Sequence, residues 1–309
     1  MNTCKILFVG IGSIAKRHIR NLLSIEDKIG MKFTIDAYRH NGGEADGVRC
    51  VYQDFDEVPD DYDVIFITNP TELHLNELRR FHDKGKHFFI EKPVVSLSQL
   101  EDAGTFKLRE DSVYYVACPL RYNAVIRYIK NNIDPDSVIS VRSISSSYLP
   151  DWRPGQDYRE TYSAHKDMGG GVSIDLIHEW DYLTYLFGWP LKVMHMIGKK
   201  SDLEIDSDDY AVYLGEYEDK IVELHLDYFG RKTIREVQLF TKDNTITGDI
   251  VNNRITFLKE DRVINFDEER DDYQKRELIH FFDMIRYGAD KEDGYLHGLK
   301  VLKLTQGRI

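Results

Sequence analysis

Short apolar runs alternate with stretches of helical period through the first third of the chain. Ile6-Leu7-Phe8-Val9 is one such run, with a helical pattern over 16–23 behind it. Further strand-like runs fall over 32–38, 63–68, 86–90 and 112–117, and helical patterns over 71–84 and 98–109 lie between them. Strands separated by helices predict a parallel sheet with right-handed crossovers, an α/β unit. Past residue 120 the pattern changes. Residues 137–148 read as a strand, a loop with Pro150, Pro154 and Gly155 follows, and Gly169-Gly170-Gly171 leads into a helix reaching residue 187. Strands are then expected over 191–198, 210–217, 221–228 and 233–240, with shorter ones near Ile246 and Ile255 and helices over 271–287 and 294–304. Consecutive strands joined by turns as short as Glu218-Asp219-Lys220 argue for an open, mainly antiparallel sheet in a second, α+β domain. The boundary is expected near residue 120, giving domains 1–120 and 121–309. The sequence shows no internal repeat and no low-complexity segment.

The first strand runs straight into Gly10-Ile11-Gly12-Ser13-Ile14-Ala15. Strand, Gly-x-Gly-x-x-Ala turn and helix, in that order, form the first unit of a dinucleotide-binding Rossmann domain. Gly10 allows the tight turn, Gly12 lets the backbone approach a pyrophosphate, and Ala15 keeps the helix close to the strand. The amides at the helix start, around Ser13 and Ile14, then face the phosphates. Cofactor choice turns on the end of the second strand. An acid at its tip would bind the ribose 2′-hydroxyl of NAD. Asp36 is expected to fall short of the tip, whereas Arg39 is placed to pair with a 2′-phosphate. NADP is therefore favoured over NAD.

Composition narrows the function classes. The 309 residues carry a formal net charge of −12, which argues against a nucleic-acid surface. Cys4, Cys50 and Cys118 are scattered and odd in number, so they suggest neither a disulfide framework nor a metal site. No apolar run reaches membrane-spanning length. The first strand begins at once, and a cytoplasmic location without a signal peptide is expected.

Three further segments carry candidate chemistry. The strand over 86–90 ends in Glu91-Lys92-Pro93. Carboxyl ends of parallel strands face the ligand crevice, so Lys92 is a candidate for moving a hydroxyl proton. An exposed lysine ahead of a turn-forming proline would have the same spelling. In Gly169–Asp181, Asp175, His178 and Asp181 or Tyr182 are spaced to share a helix face. Carboxylate and imidazole on one face suit hydroxyl binding and proton transfer, and a solvated polar face is the plainer reading. No third compact ligand is evident, so no metal is expected. In the loop from Tyr148 to Arg159, Trp152, Arg153 and Arg159 could stack on a sugar and hold an anionic group, or simply pack the loop. Arg121 is a further candidate beside the cleft.

Four motifs in this order, Gly10–Ala15 with His18, Thr68-Asn69-Pro70 with His74, Glu91-Lys92-Pro93, and Gly169–Asp181, resemble the Gfo/Idh/MocA oxidoreductases, a family that includes glucose–fructose oxidoreductase and inositol dehydrogenases. The resemblance covers essentially the whole chain. It implies hydride transfer between NAD(P) and a carbinol carbon of a sugar or cyclitol. It maps the catalytic lysine onto Lys92, the substrate-binding aspartate onto Asp175 and the histidine onto His178, and it adds Thr68, Asn69, Pro70, His74 and Glu91 to the cofactor site. Many members separate the aspartate and histidine by four positions, whereas Asp175 and His178 are three apart. The shorter spacing resembles a subgroup acting in surface-sugar biosynthesis, which implies a nucleotide sugar or acidic sugar as substrate. Relatives that retain the cofactor for elimination or hydrolysis define a rival activity, and a dinucleotide or sugar sensor defines another. A homodimer or homotetramer is expected through the open face of the second sheet.

Overall fold

The structure, a computed structural model, describes residues 2–288 and 294–309. The helices are α1 (Ser13–Ile29), α2 (His74–Arg80), α3 (Leu100–Ala103), α4 (Ala124–Asn132), α5 (Val172–Asp175), α6 (His178–Phe187), α7 (Arg270–Tyr287) and α8 (Tyr295–Leu304). The chain divides into two compact units, Met1–Ala117 with Arg270–Leu299, and Cys118–Glu269 with Lys300–Ile309.

The first unit is built on six parallel strands: β1 (Asn2–Val9), β2 (Met31–Tyr38), β3 (Cys50–Tyr52), β4 (Tyr62–Ile67), β5 (Gly85–Ile90) and β6 (Tyr114–Val116). Their order is β3-β2-β1-β4-β5-β6, which puts the switch of winding direction between β1 and β4. Ile6, Leu7, Phe8 and Val9 are all buried, as expected of a strand covered on both faces. Register puts Phe8, Phe66, Phe89 and Tyr115 side by side across four strands. Their rings form a ladder with centroids 4.5, 4.7 and 5.2 Å apart. Phe281 of α7 closes over this ladder, 6.1 Å from Phe66 and 5.4 Å from Phe89. Burying one such ring stabilises by about 1.5–3 kcal/mol. This packing accounts for α7 falling with the first compact unit, although it follows the second in the chain. Gly30, at φ +67°, ends α1.

Two expected helices are shorter than their patterns. The segment 71–84 opens with a 3₁₀ turn, Thr71–Leu73, preceded by Pro70 and without a side-chain cap. The segment 98–109 keeps only α3, after a capping box between Ser96 and Gln99. Phe106 leaves the helical path to pack against Tyr295 and Tyr114.

The second unit carries eight strands: β7 (Val138–Tyr148), β8 (Lys192–Gly198), β9 (Tyr210–Glu216), β10 (Ile221–Asp227), β11 (Phe229–Thr241), β12 (Thr245–Asp249), β13 (Arg254–Phe257) and β14 (Arg262–Asn265). The order is β14-β13-β12-β11-β7-β10-β9-β8. Only β7 and β10 pair in parallel. One face is core: Val141, Tyr213, Val222, Leu224, Val237 and Leu239 are buried, with Trp180 of α6 edge-on to Tyr213. The other face leaves Met194, Met196, Val212 and Leu214 exposed. Helix α4 has no counterpart in the sequence reading, because its β-branched residues disguise it. Asn123 starts it by accepting the Val125 amide at 3.0 Å. Among the described residues, no helix is long and apolar enough to cross a membrane.

Candidate functional site

In the first unit the glycine turn sits at the switch point. Gly10 has φ +92°, and a Cβ there would come within 2.8 Å of the Asn69 backbone. Gly12 needs no special φ, and a Cβ on it would meet nothing within 4 Å. The space above it is open, and α1 begins there with no side-chain cap and no acidic residue in its first turn. Uncapped amides beside open space suit an anion, so these residues fit the pyrophosphate of a dinucleotide. Thr68 ties the next loop to this turn, its amide donating to Val9 O at 3.0 Å and its hydroxyl to Gly10 O at 2.8 Å.

Asp36 is committed to partners of its own. It is fully buried, and it accepts Arg49 Nε and Nη2 at 2.9 and 2.6 Å and the Tyr62 hydroxyl at 2.8 Å. Arg39 lies past the end of β2, half-buried, with its guanidinium beside Gly43.

Lys92 follows the carboxyl end of β5, in the same parallel sheet as the glycine turn, and its bond to Pro93 is cis. Its two carried-over neighbours are braces rather than open contacts. Glu91 Oε1 lies 2.6 Å from His18 Nε2. Burial opposes ionisation of Glu91, but the His18 hydrogen bond and the nearby charges outweigh it and hold the carboxyl below its usual range. His74 is buried, with Nδ1 3.0 Å from Pro93 O and Nε2 2.9 Å from Asn69 O.

In the second unit the expected long helix is interrupted. It leaves helical geometry at Leu176 (φ −98°, ψ 31°), so Asp175 ends α5 and His178 begins α6. They do not share one continuous helix face. Within 171–184 every residue is buried except His178. Gly170 and Gly171 serve the packing: a Cβ on the first would strike the Tyr162, Ser163 and His165 carbonyls, and one on the second would strike Asp208.

Asp175 is 5% exposed and accepts the Tyr228 hydroxyl at 2.6 Å. Burial, then the Asp175 charge, raises the Tyr228 phenol well above its ordinary pKa. Tyr162 also hydrogen-bonds Asp175, whose charge is the main cause of that phenol's upward shift. The Arg153 guanidinium lies 5.1 Å from the Tyr162 ring, and Trp152 packs edge-on to Tyr228 at 5.2 Å. Sequence reasoning missed both tyrosines. Tyr228 closes a strand-like run and Tyr162 lies between motifs, so only their shared partner marks them.

Two candidates are paired with carboxylates. Arg121 is buried and grips Asp181 through two bonds, Nε to Oδ2 at 2.9 Å and Nη2 to Oδ1 at 2.7 Å. Arg159 spends its charge on Asp157 and on Glu204, the latter at 2.7 Å. Among the described residues, His165, Asp167 and Asp206 bring potential ligand atoms within 4.8 Å of one another. His165 is occupied by the Arg159 carbonyl and Asp206 by the Lys166 amide, contacts that hold the loop.

A family described as "Oxidoreductase family, NAD-binding Rossmann fold" matches residues 4–117, and the "GFO/IDH/MocA C-terminal domain" matches 126–243. The uncharacterized oxidoreductase YrbE of Bacillus subtilis (strain 168) is 23% identical over 96% of this chain and 86% of its own. Levoglucosan dehydrogenase in complex with NADH and levoglucosan superposes with a TM-score of 0.85 at 16% identity, covering 99% of this chain and 96% of the other. The UDP-N-acetylglucosamine 3-dehydrogenase GnnA from Acidithiobacillus ferrooxidans superposes with a TM-score of 0.79 at 18% identity, covering 100% and 97%. With an NAD-binding Rossmann unit and the matching C-terminal domain, the chain belongs to the Gfo/Idh/MocA oxidoreductase family.

Proposed function

We propose that the protein is an NAD(P)-dependent sugar dehydrogenase or reductase. The observation that carries this reading is the placement of Lys92 at the carboxyl end of β5, two strands from the open glycine turn of the same parallel sheet. Bound NAD(P) would supply the hydride acceptor or donor. In the oxidative direction the carbinol carbon gives up hydride, and its hydroxyl proton passes to Lys92 or His178, leaving a carbonyl. Asp175, loaded with two phenol donors, orients a substrate hydroxyl as a fixed acceptor. Trp152 and Tyr162 offer ring faces to a sugar, and Arg153 offers a positive charge to an anionic substituent. That set favours a nucleotide sugar or acidic sugar, and the neighbouring UDP-N-acetylglucosamine 3-dehydrogenase is in keeping with it.

NADP is the preferred cofactor in this reading. Asp36 is committed to Arg49 and Tyr62, and Arg39 stands past the strand tip with its charge available to a 2′-phosphate. The protein would act as a homo-oligomer through the open sheet face. That face combines exposed Met194, Met196, Val212 and Leu214 with an Arg142–Glu223 pair at 3.2 Å, giving both apolar area and charges of either sign for an isologous contact.

The test is a side-by-side fluorescence titration with NADPH and NADH, followed by a turnover screen of UDP-sugars and uronic acids with Lys92→Ala as control. Tighter NADPH binding that Arg39→Ala abolishes, and turnover lost in Lys92→Ala with cofactor binding intact, are the expected results. Full turnover in Lys92→Ala would sink the catalytic assignment. A requirement for cofactor without net change in its redox state would favour the elimination or hydrolysis reading.

A further inference from the structure

We propose that His18 is a positioning residue for Lys92, acting through Glu91, a proposal that rests on Lys92 being the working lysine. His18 lies in the second turn of α1, the helix whose first residues form the dinucleotide turn. Its side chain is buried, and Nε2 reaches Glu91 Oε1 at 2.6 Å. The other carboxylate oxygen of Glu91 accepts the Lys92 main-chain amide at 3.3 Å. One carboxylate thus joins a helix side chain to the backbone of the lysine.

The ring has little freedom to do anything else. It stands edge-on to Phe89 at 5.1 Å and tilted on Phe66 at 5.8 Å, so two members of the aromatic ladder set its plane. Its second nitrogen, Nδ1, is buried with no hydrogen-bond partner. A buried, unpaired nitrogen costs about 1–3 kcal/mol, so the imidazole is a poor filler and is explained by its single bond to Glu91.

A second histidine completes the brace from the other side of Lys92. His74 faces Pro93 O and Asn69 O, and the adjacent Thr68 holds Gly10 O. Contacts therefore run from the glycine turn to both flanks of Lys92 within one compact unit. Their chemical purpose is to fix the lysine relative to the cofactor's phosphate turn. A displacement of about 1 Å at a reacting group can cost about a hundredfold in rate.

The test reads Lys92 itself and needs no substrate. Reductive methylation at fixed pH, quantified by peptide mass spectrometry, gives the labelling rate of Lys92 relative to the exposed Lys86 on the same strand. In His18→Leu and in Glu91→Gln the ratio should rise threefold or more, and the double variant should rise no further than either single one. His18→Gln, which keeps an N–H donor at the same reach, should stay within twofold of the parent protein. That rescue separates positioning from general loosening of the fold. Should His18→Leu fail to fold, the contrast between Glu91→Gln and His18→Gln decides the question alone. An unchanged ratio in Glu91→Gln, additive single effects, or no rescue by His18→Gln would overturn the proposal. Failure of the catalytic reading is a separate outcome, seen as turnover surviving in Lys92→Ala while the labelling pattern stands.

Discussion

Tyr228 donates its hydroxyl to Asp175, with Oη 2.6 Å from Oδ2. The two residues are 53 positions apart, and Tyr162 approaches the same carboxylate from a third segment. Asp175 thereby acquires a fixed direction, and His178 is the one residue of 171–184 that is not buried.

Removing the phenolic hydroxyl in Tyr228→Phe should lower turnover of a sugar substrate about tenfold to hundredfold, the value of one hydrogen bond to a charged group. NADH affinity should be unchanged, because the Tyr228 hydroxyl is bonded to Asp175 and not to the glycine turn. Steady-state kinetics beside a fluorescence titration checks both halves, and an unaltered kcat/KM would remove Tyr228 from the site.

The Arg121–Asp181 pair is the sort of buried bidentate contact that is costly to break from one side only. Arg121→Met should destabilise the protein by about 3–5 kcal/mol, because it strands a buried carboxylate. Arg121→Met combined with Asp181→Leu should recover most of that loss. Urea unfolding of the two variants provides the comparison. A double variant as unstable as the single would show that packing, not charge, is what Arg121 supplies.

Gly10 and Gly12 should respond differently to alanine. Gly10→Ala combines a left-handed φ with a clash on the Asn69 backbone, so it should lower the melting temperature and abolish dinucleotide binding together. Gly12→Ala points a methyl into open space and should leave the melting temperature nearly unchanged while weakening NADH by tenfold or more. Retained NADH affinity in a folded Gly12→Ala protein would argue that the phosphates do not lie over this turn.

His87 makes a pH prediction. It is buried on β5 and accepts the Val113 amide through Nδ1 at 3.1 Å, which requires an unprotonated nitrogen. Burial, aided by Lys86 and Arg109 against Asp63 and Asp111, lowers its pKa from 6.5 to about 4. The folded state then binds fewer protons than the unfolded state between those values. Its contribution to stability is complete above pH 6.5 and is lost as pH falls toward 4. His87→Gln should flatten the stability curve in that window, by no more than the slope of one proton. Chemical unfolding across the range measures it.

Features written in consecutive residues are legible in the sequence alone. The strand, glycine turn and helix at residues 6–29 depend on local geometry, and the strand ending at Glu91-Lys92 depends on a single apolar run. Periodicity misled where tertiary contacts overrode it. The stretch 171–187 has helical spacing throughout, yet its chain steps aside at Leu176. Arg121 and Arg159 were reasonable anion ligands by type, but each had a carboxylate of its own that no spacing reveals.

By itself, then, the sequence determined the strand–helix alternation of the first unit, the two kinds of sheet and the dinucleotide turn, since these follow from side-chain period and from backbone freedom at particular glycines. Only the tertiary structure decided who shares whom. It gave Asp36 to Arg49, Glu91 to His18 and Asp175 to Tyr228, and it returned α7 to the first unit beneath Phe66 and Phe89. Such pairings join residues far apart in the chain, and they are chosen by which buried polar groups must be satisfied and which apolar faces must be covered once the sheets have formed.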